Sequence, residues 1–114
     1  MKYTYKIEDQ VFILSFSGDL IGENDGAELI EVIQEKIEKG ISLCAIDISD
    51  LRYINSSGIG VLITILTKFR NRGGEVVLVN PGEQVKKLLI ITKLNNIFQI
   101  VDSIEEAKKS LISS

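Results

Sequence analysis

The residues best placed to do chemistry in this chain are Ser56 and Ser57. They lie in the run Tyr53-Ile54-Asn55-Ser56-Ser57-Gly58-Ile59-Gly60, where an extended segment gives way to a long apolar helix. Two hydroxyls at that point sit at the positive end of a helix dipole, which favours a phosphoryl group and the charge-assisted hydrogen bonds it brings. Serine is also a common helix N-cap, so capping is the plainer reading of Ser-Ser-Gly taken alone. Histidine is absent from the whole chain. That removes Ser-His-Asp and Cys-His nucleophilic sites and most zinc sites together. No catalytic residue, metal ligand or cofactor is expected.

The chain has 114 residues, 45% of them hydrophobic, which predicts a single domain over residues 1–114. Its lone cysteine, Cys44, allows no internal disulfide and falls in an apolar run, where it reads as a small core hydrophobe. With no basic, apolar leader at the start, a reducing cytoplasm is the expected setting. No uninterrupted apolar run is long enough for a membrane span. The formal charge of −3, from 13 basic and 16 acidic residues, offers no footprint for nucleic acid.

Strands are expected at Lys2 to Ile7 and Val11 to Phe16, joined by the Glu8-Asp9-Gln10 turn as an antiparallel hairpin. From Asn24 or Asp25 to Lys39, the residues Ala27, Leu29, Ile30, Ile33 and Ile37 recur at helical spacing, opposite Glu28, Glu31, Glu35 and Glu38. Short apolar runs at Leu43 to Ile48 and Glu75 to Val79 suit strands covered on both faces. Between them a helix should run from about Ser56 to Arg72 and stop at Gly73-Gly74. Asn80-Pro81-Gly82-Glu83 predicts an N-cap, a proline at N1 and a glutamate at N3, with a helix to about Thr92. Ile97 to Val101 is the last predicted strand, and Ser103-x-x-Glu106 is a capping box for a C-terminal helix.

That order, β-β-α-β-α-β-α-β-α, predicts an α/β fold with a mainly parallel sheet, an N-terminal hairpin and four helices. Functional loops of such sheets gather at the carboxyl ends of the strands, which would bring the Gly18 to Asn24 loop beside the Asn55 to Gly58 turn. Asp47 and Asp50 near a strand end could suggest a metal-dependent acceptor site, but strand-end aspartates more often form turns. Gly58-x-Gly60 resembles part of a dinucleotide loop without its third glycine. The helix after Ser56 is apolar over more than one stripe, and Ile90-Ile91 adds apolar surface beyond the Val85, Leu88, Leu89 face. Such excess is either buried under neighbours or docks a partner.

The run from Asp47 through Gly60, followed by Gly73-Gly74 and Val85-Lys86-Lys87-Leu88-Leu89 through Leu94, resembles the STAS family, particularly the bacterial anti-sigma factor antagonists. The Gly18-Asp19-Leu20 turn extends the resemblance across nearly the whole chain. It implies a non-enzymatic regulator that binds an anti-sigma factor which is also a serine kinase, with a serine phosphatase resetting the modified form. By the same resemblance the phospho-acceptor is Ser56, with Ser57 as neighbour and alternative acceptor. Two positions depart from the pattern. Asn55 stands where the family usually has Asp, and Ile21 where the Gly-Glu-Leu-Asp turn has its Asp. The expected partner surface comprises Asn55, Ser56, Ser57, Gly58, Ile59, Ile63, Ile21 and Asn24, joined by Ile90. Two alternatives stand beside this reading: a STAS subunit of a lipid-transport or stress-sensing assembly with a constitutive contact, and a small nucleotide-binding enzyme.

Overall fold

A computed structural model describes residues 2–21 and 26–112. Five strands form one mixed sheet in the order β1-β2-β3-β4-β5: β1 Lys2–Glu8, β2 Val11–Leu20, β3 Leu43–Ile54, β4 Glu75–Val79 and β5 Gln99–Val101. The first pair is antiparallel and the others are parallel. Four α-helices alternate with them, α1 Gly26–Glu38, α2 Ser56–Arg70, α3 Glu83–Ile91 and α4 Ile104–Ile112, and a 3-10 turn spans Leu94–Asn96. The predicted α/β architecture is therefore present. The expected start of α1 at Asn24 or Asp25 lies outside the described residues.

The alternation of side chains along the strands splits the core in two. Phe12, Leu14, Cys44, Ile46, Val76 and Leu78 face α1, α2 and α3, packing on Leu29, Ile33, Leu62, Ile65, Phe69 and Leu89. On the other face Val11, Ile13, Ala45, Val77 and Val79 pack against Ala107 and Leu111 of α4. Cys44 is fully buried, and burial pushes its thiol pKa well above the ordinary range, so it is an inert core side chain. The excess apolar residues of α2 mostly go inward: Val61, Leu62, Ile65 and Leu66 are all buried.

Several boundaries differ from those predicted. The third helix does not start on Asn80: that residue has φ 52°, in the left-handed region, and its N–H donates to the Val101 carbonyl at 2.8 Å. Gly82 takes the N-cap place with extended backbone and no side-chain cap. Strand β5 begins at Gln99 rather than Ile97, because the 3-10 turn consumes the preceding residues and buries Leu94 and Phe98. The capping box at α4 holds in part. Ser103 Oγ accepts from Glu106 N at 3.1 Å, but the Glu106 carboxylate reaches back to the N–H of Asp102, at 3.2 Å.

The β1–β2 turn places Asp9 and Gln10 at φ 53° and 66°, the backbone of a two-residue hairpin turn that favours glycine in its second place. A distant cation compensates. Lys108 Nζ on α4 donates to Glu8 Oε1 at 2.7 Å and Asp9 Oδ2 at 3.2 Å, fastening the turn to the sheet's second face. Hydrogen bonds from Lys108 and Lys6 pull the Glu8 pKa from 4.5 down to about 2. A carboxylate depressed on folding stabilises the fold above its unfolded pKa, and that contribution is lost as pH falls through the folded value. The stabilisation from Glu8 should thus be complete above about pH 5 and vanish between pH 4.5 and about 2. Urea midpoints measured across this range should fall less steeply for Glu8→Gln than for the parent; parallel curves would show that the turn is held by other contacts.

Candidate functional site

The apolar run that predicts β3 ends at Ile48, yet the strand continues to Ile54. Buried residues recur at Ile48, Leu51 and Ile54, a spacing of three that a flat strand cannot produce. Two irregularities in the β2–β3 register account for it. Ser15 and Ser17 face Asp47 and Asp50, and Gly18 and Asp19 face Leu51 and Tyr53, so β3 carries an extra residue at each step. Asp47 Oδ1 accepts from Ser49 N and Ser49 Oγ at 3.0 and 2.7 Å, holding the first irregularity in shape. Asp47 and Asp50 therefore sit within β3, and among the described residues no group of acidic, histidine or cysteine side chains is arranged to hold a metal.

Strand β2 likewise runs past Gly18 to Leu20, so the predicted loop begins only at Ile21. This lengthening lays the carboxyl ends of β2 and β3 side by side, with Leu20 paired to Ile54. Asn55 N then donates to the Leu20 carbonyl at 3.3 Å. Gly58, one helical turn on, is pressed against that same carbonyl, and a Cβ there would strike Leu20 O and the Ile54 side chain. The end of β2 at Leu20 and Ile21 and the Asn55 to Gly58 turn accordingly share one end of the sheet; residues 22–24 of the expected loop lie outside the described residues. Gly58 and Gly60 lie inside α2 and form no phosphate-cradling loop.

Asn55 is the N-cap of α2, in extended backbone, and its Oδ1 accepts from Gly58 N at 2.8 Å. Its own carbonyl accepts from Ile59 N at 2.9 Å. Capping thus falls to Asn55 and leaves the Ser56 and Ser57 hydroxyls for other work. Both serines are exposed in the first turn, beside the unspent positive end of the dipole. No acidic side chain lies in that turn, so nothing built into it repels an anion. Asp19, the carboxylate on the adjoining strand, is paired with Arg52 at 3.2 Å.

The other expected residues divide. Ile21 and Ile63 are exposed at 40% and 39%, whereas Ile59 is partly buried against the main core and offers little free surface. Asn24 lies outside the described residues. Ile90 is exposed on α3 but does not line the groove between that helix and the end of β3. That groove, about 310 Å³, is formed by Arg52, Tyr53, Gln84, Lys87 and Leu88. The sequence places Tyr53 at the end of an extended segment but gives no place to Arg52, because the apolar run of the strand stops at Ile48. The three-residue spacing of Ile48, Leu51 and Ile54 was the available signal.

The STAS domain family matches residues 2–107. The chain belongs to that family. It is 35% identical to a Thermotoga maritima protein named "Putative anti-sigma factor antagonist", over 96% of each chain. A crystal structure described in the same words, also from Thermotoga maritima, superposes with a TM-score of 0.85 at 31% identity, covering 96% of this chain and 94% of that one. The Bacillus cell fate determinant SpoIIAA in its phosphorylated form shares the fold alone, with a TM-score of 0.71 at 17% identity over 96% and 98% of the two chains. Among the described residues no helix is long and apolar enough to cross a membrane.

Proposed function

We propose that the chain is an anti-sigma factor antagonist: a non-enzymatic regulator in the cytoplasm that binds an anti-sigma factor serine kinase, is released by phosphorylation at Ser56, and is reset by a serine phosphatase. The observation that carries this reading is an exposed Ser56 at the first position of α2 whose capping duty is already met by Asn55. A phosphate there adds about −1.5 to −2 charges and is accommodated by the helix end with little disturbance of the domain. A partner surface docked over Ser56 and Ile63 would have to desolvate it. Release then needs no change of fold. The names of the relatives support the same partner class, and a protein described in its phosphorylated form shows that this fold accepts phosphorylation.

The test uses the anti-sigma factor kinase from the source cell, measured by calorimetry against the unmodified chain and its variants. Ser56→Asp or Ser56→Glu should weaken binding at least tenfold, about 1.4 kcal/mol, while Ser56→Ala should bind and resist release by ATP. Thermal stability should barely change, since the side chain is at an exposed helix end. Phosphorylation persisting in Ser56→Ala would move the acceptor to Ser57 or elsewhere. Full binding by both acidic variants would favour the constitutive STAS subunit instead.

A further inference from the structure

Among the described residues, strand β1 ends the sheet and has one strand neighbour, β2. It is seven residues long, Lys2-Tyr3-Thr4-Tyr5-Lys6-Ile7-Glu8, whereas the opposite end strand β5 has three. Tyr3, Tyr5 and Ile7 alternate onto the face that carries α1, and the even residues onto the other. Tyr5 stacks on Phe12 with ring centroids 5.3 Å apart and is still 44% exposed, as is Ile7. A long end strand with exposed apolar side chains is a template for another strand.

We infer that β1 pairs antiparallel with β1 of a second copy of this chain, about a two-fold axis at Tyr5, to make one continuous sheet. The charges select that register. With residue numbers of facing positions summing to ten, Lys2 faces Glu8, Tyr3 faces Ile7, Thr4 faces Lys6 and Tyr5 faces Tyr5. Apolar meets apolar on one face, and opposite charges meet at both ends on the other. Sliding two residues one way sets Lys2 against Lys6; sliding two the other way sets Lys6 against Lys6. A one-residue slip puts the apolar row of one copy on the polar face of its neighbour. The lysines that discourage indiscriminate edge pairing thus permit one arrangement.

Sedimentation velocity on the full chain should show a dimer at tens of micromolar. Lys2→Glu, which sets carboxylate against carboxylate at both ends, should raise the dimer dissociation constant about tenfold. Register is read by mixing Thr4→Cys with Lys6→Cys protein under mild oxidation: directly facing positions bring the two thiols within disulfide reach, whereas like positions on the two copies lie diagonally, farther apart. The mixture should cross-link faster than either variant alone. Buried Cys44 does not compete. A chain that sediments as a monomer throughout, including one whose edge instead takes an extended segment of another protein, overturns the inference. So does a dimer indifferent to Lys2→Glu or cross-linking equally in every combination.

Discussion

Alanine at position 58 is expected to destabilise the protein by about 2–3 kcal/mol, while alanine at position 60 should stabilise it by about 0.5–1 kcal/mol. Both glycines lie in α2 with the same helical backbone, and helix propensity favours alanine equally at each. Space decides the sign. A Cβ on Gly60 meets nothing within 4 Å, whereas one on Gly58 meets the Leu20 carbonyl, which is backbone and cannot rotate away. Accommodating it would push the first turn of α2 off β2 and stretch the bond from Asn55 N to Leu20 O. In thermal melts the two variants should move in opposite directions, with Gly58→Ala lower by roughly 10–20 °C. Equal shifts would mean that α2 can slide without cost. Under the proposed function, displacement of the turn should also weaken anti-sigma factor binding in Gly58→Ala, although no contacting side chain has been removed.

Gly74→Ala should cost about 3 kcal/mol or more, because its Cβ would be caught between two backbone carbonyls, those of Ser42 and Phe69. Gly74 N donates to Phe69 O at 2.8 Å and Glu75 N to Ser42 O at 3.0 Å, so the chain leaves α2 and enters β4 through a gap with no spare room. Its neighbour Gly73 meets no such crowding but has φ 74°, so alanine there is penalised by backbone strain instead. Asparagine, which tolerates the left-handed region, separates the two mechanisms. Gly73→Asn should recover most of the stability lost in Gly73→Ala, and Gly74→Asn should recover none, as read from urea midpoints. Recovery at both positions would refute a steric role for Gly74.

The elements were legible because their signals are local. Helix α1 is written in Leu29, Ile33 and Ile37, β4 in an unbroken apolar run, and the start of α4 in Ser103 and Glu106, each set by neighbours within a turn or two. The place of Ser56 at a helix start is also local, fixed by Asn55 before it and the apolar run after it. Propensity misled at Asn80, a good N-cap by type, because its N–H was claimed by Val101 from a strand formed later in the chain.

Local signals along the chain were enough for the fold class, the order of the elements and the serine at the start of α2. Folding decided the register irregularities that lay the ends of β2 and β3 side by side, and so what stands beside that serine. Register irregularities depend on a partner strand about thirty residues away, and no local pattern specifies that partner. The same holds for the two crowded glycines. A glycine reads identically whether it supplies a positive φ, as at Gly73, or an absent side chain, as at Gly58 and Gly74. The difference lies in a carbonyl that only folding brings within reach.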